Sequence, residues 1–128
     1  MRYILDKLVL ALTFAIGLMG GIDVALRSLF IVMVSDYITG LLSAIYNKKV
    51  SSKIGIKGIV KKIGYLSAII LACVLDKLTG NTNIIRMLVI YLFIANDGIS
   101  IIENLAEMNV KLPKKVKEVL DQLKENNK

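Results

Sequence analysis

Apolar residues in this chain gather into four long runs rather than short alternating patches. Residues 8–22 are framed by Asp6-Lys7 and Asp23, and residues 24–46 follow at once with Arg27 and Asp36 as their only charges. A third run has an uncharged centre at 63–75 and extends to about 59–78 when Lys61 and Lys62 snorkel at one end and Asp76-Lys77 sit at the other. The fourth covers 84–102 and holds Arg86 and Asp97. Uninterrupted runs of this length predict helices. At the α-helical rise the first run reaches only about 22 Å, short of a hydrocarbon core of roughly 30 Å, whereas the second reaches about 34 Å. The expected fold class is an all-α integral membrane protein: a bundle of about four short transmembrane helices, or three if the first run fails to span. Gly21-Ile22-Asp23 and residues 79–83 read as two tight turns between spans.

Composition supports a lipid environment. Hydrophobic residues make up 55% of the 128 positions, and the mean hydropathy is +0.66. A soluble domain of this size buries only about two thirds of its unfolded surface and has no room inside for so many large apolar side chains. The N-terminal stretch has the basic start and apolar centre of a signal peptide, but the apolar runs that follow make it an expected retained segment. With no His and a single Cys73 inside an apolar run, a Cys/His metal site and an intrachain disulfide are excluded, and Cys73 reads as core packing. No cofactor and no metal are expected.

Seventeen Lys plus Arg against ten Asp plus Glu leave a formal charge of +7, and position decides its meaning. The bases fall between and after the apolar runs without interleaved aromatics, which argues against nucleic acid. The connection 47–62 carries Lys48, Lys49, Lys53, Lys57, Lys61 and Lys62 with no acid. It reads as a basic cytoplasmic loop in contact with anionic lipid, and it sets the orientation through the positive-inside rule. With four spans both termini are cytoplasmic; with three the N-terminus lies outside. The polar tail, residues 105–128, has Pro113 ahead of Val116, Val119, Leu120 and Leu123 at helical spacing, and predicts a short amphipathic cytoplasmic helix.

An ionisable side chain at mid-bilayer depth costs on the order of 2.5 to 3.5 kcal/mol on insertion scales, so Asp36 needs a partner or water. Ser28, Ser35, Thr39 and Ser43 share its side of the helix. On the fourth run Arg86, Asn96, Asp97, Ser100 and Asn104 continue a polar face on which Arg86 can snorkel outward, with Arg27 and Lys77 as candidate cations for Asp97. Asp36, Thr39, Ser43, Arg86, Asn96, Asp97, Ser100 and Asn104 are thus the candidate pore-lining or subunit-contact residues. Small residues recur four apart at Thr13, Gly17 and Gly21, at Gly40 and Ala44, and at Gly64, Ala68 and Ala72, marking helix-packing faces. No His base, phosphate-binding glycine loop or accessible carboxylate pair is present, so neither an enzyme nor a small-molecule substrate is expected.

The sequence Asp36-Tyr37-Ile38-Thr39-Gly40 with Ala44, Ser51-Ser52, Gly55-Ile56-Lys57-Gly58 before Lys61-Lys62, Asp76, the run from Asn96-Asp97-Gly98 to Glu103-Asn104, and Pro113 together resemble the phage holin family that includes the toxin-secretion holins of clostridia. The likeness covers nearly the whole chain. Asp97 stands where that family generally has Glu. The resemblance implies a protein of the bacterial cytoplasmic membrane that homo-oligomerises into lesions. These release an endolysin or a large toxin and time host lysis, without required direct binding to that cargo. A small helical-bundle transporter or ion channel using Asp36 as its coupling carboxylate is the alternative, and so is an antiholin.

Overall fold

Helix boundaries follow from local capping chemistry. The computed structural model describes residues 1–80 and 82–125, which form five helices in the order α1 (Arg2–Leu18), α2 (Val24–Tyr46), α3 (Ser52–Leu78), α4 (Ile84–Glu107) and α5 (Lys114–Glu125), with no strand among them. Asp23 caps α2 by accepting from the Leu26 amide at 2.9 Å, and Ser51 caps α3 by accepting from the Ile54 amide at 3.3 Å. α1 ends where Gly20 and Gly21 take left-handed backbone angles, and the Gly21 amide closes the last turn on the Ile16 carbonyl at 2.9 Å.

Three of these helices, α2, α3 and α4, are long and apolar enough to cross a membrane. α1 is not in that set: it occupies residues 2–18 instead of 8–22, has 17 residues, and buries none of them. It makes no extensive contact with any other helix among the described residues. The expected loop 47–62 is also corrected. Only residues 47–51 are loop, and α3 begins at Ser52, so most of the lysines ride on a helix. The Ser51 cap starts that helix early. Gly55 and Gly58 are kept within it because the Tyr37 ring lies against them; a Cβ at either would stand 3.2 or 3.3 Å from it. α4 runs to Glu107, five residues beyond the expected end.

The three long helices meet along seams of seven-residue spacing. α2 contributes Leu26, Leu29, Met33, Asp36 and Ser43; α3 contributes Tyr65, Ile69, Ala72 and Asp76; α4 contributes Arg86, Ile90 and Asp97. The middle of each seam is apolar, with Leu26, Leu29, Ile69 and Ile90 fully buried. Tyr65 stacks on Phe93 with ring centroids 3.9 Å apart. Contact is most extensive between α2 and α4, and α3 packs chiefly on α4 and touches α2 sparsely. Around this core the outer faces stay apolar, as in the exposed row Ile31, Val34, Ile38, Leu42 and Ile45 along α2. Continuous exposed apolar surface of that extent suits acyl chains rather than water.

The small-residue rows divide. Gly40 lets Asn104 of α4 approach, at 3.6 Å from where a Cβ would stand, and Ala72 is buried, with Ala44 and Ala68 half-buried. Gly17, Gly21 and Gly64 meet nothing within 4 Å, so within the chain they are not packing positions. Gly17 lies on the helix that stands apart, Gly21 in the connector, and Gly64 on the outer side of α3.

α5 folds back on α4. Leu120 sits so close to Gly98 that a Cβ there would lie 2.8 Å from a leucine methyl. Gly98→Ala is therefore expected to displace α5 and leave the α2–α4 bundle intact, at an over-packing cost of about 1–3 kcal/mol. Backbone hydrogen exchange checks this: faster exchange confined to α5 is expected, and unchanged exchange in α5 would contradict it.

Candidate functional site: two ion clusters at the ends of the helical seams

Both ends of the apolar seams are closed by buried charge. At one end Lys62 of α3 reaches between the other two long helices. Its Nζ lies 2.8 Å from Asp36 Oδ2 on α2 and 3.2 Å from Asp97 Oδ2 on α4. The Tyr65 hydroxyl donates to Asp97 Oδ1 at 3.1 Å, and Lys61 Nζ stands 3.6 Å from the same oxygen. Asn104 Nδ2 donates to Thr39 Oγ1 at 3.0 Å and weakly to Asp36 Oδ1 at 3.4 Å. Asp97 is fully buried and Asp36 is 8% exposed. One ammonium thus ties two carboxylates from two other helices, and each of the four carboxylate oxygens has a donor, the condition under which buried ions are tolerated.

At the opposite end Arg86, 2% exposed, spreads its guanidinium over the α1–α2 connector. Nε donates to the Met19 carbonyl at 2.6 Å, Nη2 to the Gly21 carbonyl at 3.0 Å, and Nη1 to Asp23 Oδ2 at 2.8 Å. Gly20 is required here, because a Cβ would fall 2.6 Å from Arg86 Nε. Asp76 of α3 is 1% exposed and accepts from the Ile85 and Arg86 amides, each at 2.9 Å. It caps α4 from a neighbouring helix, a role the preceding Asn83 does not fill with its own side chain.

Several sequence expectations meet different partners. Asp36, Thr39, Asp97 and Asn104 come together in the first cluster. Ser43 lies one turn further on and donates to Glu107, and Ser100 lines the cleft beside the cluster. Asn96 is half-buried next to Asp97. Arg86 does not join this group and does not snorkel: it is eleven residues, about 16 Å of helix, from Asp97 and is held at the other end. Neither Arg27 nor Lys77 is the counter-ion; both are exposed. The counter-ion is Lys62, expected among the headgroups but mostly buried, whereas Lys48, Lys49, Lys53 and Lys57 are exposed and Lys61 is half-exposed. Tyr65, Asp23 and Asp76 are not among the site residues expected from the sequence, and Lys62 is expected there only as an anionic-lipid contact. For three of them a signal exists: 62, 65, 69, 72 and 76 fall at alternating steps of three and four, so a helix extended back to Ser52 turns Lys62 inward with Ile69.

Residues 13–125 match the model of the bacteriophage holin family. The chain belongs to that family. Among its relatives, an uncharacterised 14.9 kDa protein from the nagH 3′ region of Clostridium perfringens is 41% identical over 110 residues, 85% of this chain and 82% of that protein. An uncharacterised protein of Listeria monocytogenes is 40% identical over 103 residues, 80% of this chain and 74% of its own. A protein of Bacillus phage phi105 named as a probable holin is 28% identical over 99 residues, 77% and 73% of the two chains. No solved structure matches. Holin-family membership together with three helices able to span makes this a membrane protein, and no catalytic family is indicated.

The geometry separates the two clusters experimentally. Lys62→Met leaves two carboxylates facing each other beside an apolar core, and a loss of about 3–5 kcal/mol is expected, read as thermal unfolding in detergent micelles. Adding Asp36→Asn and Asp97→Asn to Lys62→Met should recover much of that loss, and an additive decline would contradict the shared cluster. The second cluster has a pH signature. Hydrogen bonding from Arg86 holds the Asp23 carboxyl below its ordinary value of 3.8. A depressed folded-state value means that its contribution is complete above pH 3.8 and is lost as pH falls through the lower value. Hydrogen exchange in residues 19–23, corrected for intrinsic rate, should stay flat from neutral pH to 3.8 and rise below it, and Asp23→Asn should remove the dependence.

Proposed function

We propose that the chain is a holin: copies collect in the host cytoplasmic membrane and assemble into lesions through which an endolysin, or in toxin-secreting relatives a large toxin, leaves the cell. α2, α3 and α4 are the spans. The lysines of the 47–51 connection and of early α3 face the cytoplasm by the positive-inside rule, with α5 on the same side. α1 and the N-terminus then lie on the outer side. The short length of α1 and its lack of extensive contacts favour this three-span arrangement over four spans with both termini inside.

The observation that carries the reading is the Asp36–Lys62–Asp97 cluster, which joins all three spans through ions rather than apolar packing alone. In the single copy Lys62, with Lys61 at the edge of the cluster, offsets the two carboxylates. α3 touches α2 sparsely, so parting them breaks few apolar contacts and frees carboxylates and ammonium to pair between copies or to face water. Asp36, Thr39, Asp97, Ser100 and Asn104 then line the lesion, while Ser43, Asn96 and Arg86 hold helix and subunit contacts. Membrane voltage biases the step, since each unit charge crossing the full field contributes about 2.3 kcal/mol per 100 mV.

Induction in a bacterial host with and without a co-expressed endolysin tests this. Membrane potential should collapse abruptly in both, and culture lysis with release of a folded cytoplasmic enzyme should require the endolysin. Asp36→Asn and Asp97→Asn should each shift the onset while leaving insertion intact; unchanged onset in both would remove the cluster from the mechanism. Slow selective ion flux would instead identify a channel or transporter, and protection from lysis an antiholin.

A further inference from the structure

Beside the Lys62 cluster, α3 stands off from α2 and α4 and leaves an open cleft of about 540 Å³. Its polar lining includes Asp36, Lys57, Lys61, Lys62, Ser100 and Asn104. Three formal ammonium charges from Lys57, Lys61 and Lys62 face two formal carboxylates, Asp36 and the adjoining Asp97, which leaves one positive charge over. Lys57 forms no salt bridge among the described residues, and Lys61 is 49% exposed and only at the edge of ion-pair distance from Asp97. A second groove of about 380 Å³ lies between α2 and α3, further from the lysine-rich end. Its apolar lining is Phe30, Met33, Val34, Ile59, Ile63 and Leu66. Tyr37 and Lys62 line both hollows, so a polar compartment and an apolar one meet at a shared wall.

We infer that these two hollows form a site for one anionic phospholipid, with its phosphodiester against Lys57 and Lys61 and an acyl chain in the groove below Tyr37. The charge fits: a phosphodiester monoanion neutralises the single uncompensated ammonium, and Lys57 and Lys61 are exposed enough to reach it. The shape fits as well, because a soluble anion has no use for an apolar groove, and a zwitterionic lipid brings a cation of its own beside the phosphodiester. Position agrees, since the basic compartment opens at the end of α3 that carries Lys53 and the 47–51 connection, the end assigned to the cytoplasmic leaflet. The site differs from diffuse attraction of lysines to a charged surface in having two compartments and one lipid per copy. It rests only on membrane insertion and not on lesion formation.

The test reconstitutes the full chain in phosphatidylcholine vesicles containing a minor fraction of phosphatidylglycerol, re-extracts it in mild detergent, and counts retained lipid by native mass spectrometry. One phosphatidylglycerol per copy is expected, enriched over its fraction in the vesicle. Lys57→Gln/Lys61→Gln should weaken retention roughly tenfold, as should Val34→Trp, which fills the groove without touching charge. Lys57→Arg/Lys61→Arg should keep it. Lys48→Gln/Lys53→Gln removes the same charge outside both hollows and should leave it unchanged. Equal loss in this control would reduce the effect to diffuse electrostatics and overturn the site. So would equal retention of the two lipids, or displacement of the lipid by inorganic phosphate alone, which would make the polar compartment a simple anion site. Circular dichroism and a single detergent-solubilised species establish that each variant is folded. Retained lipid in a chain that never causes lysis would leave this site standing and overturn the lesion instead.

Discussion

Lys62 holds the bundle's polar end together, and the positions of its neighbours follow from its demands. An ammonium taken out of water needs compensation from more than one direction, and α3 alone supplies none. Asp36 and Asp97 approach from two other helices at 2.8 and 3.2 Å, which fixes the rotation of α2 and α4 relative to α3. Tyr65 and Asn104 then take up the outer carboxylate oxygens, and Gly40 has no side chain that would keep Asn104 away. Apolar packing in a membrane gives little choice among helix rotations, because lipid competes equally well for Leu and Ile. The ion cluster is what makes one rotation preferable.

The opposite end is organised around Arg86 and Asp76, and here the partners are mainly backbone. Arg86 donates to two carbonyls of the α1–α2 connector, while Asp76 accepts two amides at the start of α4. One end therefore closes chain segments that are close in space through fixed backbone groups, and the other closes three helices through side chains. Between them the buried seam of α2 runs thirteen residues, from Asp23 to Asp36, or about 20 Å. That interval is shorter than a hydrocarbon core of roughly 30 Å, whereas the exposed apolar face of α2 continues to Ile45. On α2, residues 37–45 therefore continue past the Lys62 cluster.

Much of this was legible from sequence, and what was not has a common cause. Apolar run length located α2 and α4 closely because each run is bounded by charges or turn residues. It placed α3 late, since four lysines and two glycines make residues 52–62 look like a solvated loop. Lysines on the outer side of a helix and a lysine turned inward have the same composition, and only the step from 62 to 65, 69, 72 and 76 tells them apart. Asp36 and Asp97 stand out as costly wherever they point, yet the sequence offers Arg27 and Lys77 as the cations for Asp97, because Lys62 reads as a headgroup lysine. Arg86 differs from its expected role for a related reason: the acid that its guanidinium pairs with, Asp23, is 63 positions away in the chain, and no periodicity joins them. The standing-apart of α1 has no sequence signature beyond its short length.

One lysine bridges two carboxylates from different helices within a bundle of three helices long and apolar enough to cross a membrane. Solid-state nuclear magnetic resonance in lipid bilayers, with ¹⁵N on the lysine side chains and ¹³C on the aspartate carboxyls, measures this without altering the protein. Dipolar coupling from the Lys62 nitrogen to the carboxyl carbons of both Asp36 and Asp97, at about 4 Å or less, is the expected result. Coupling to neither, or to Asp36 alone with Asp97 remote, would contradict it.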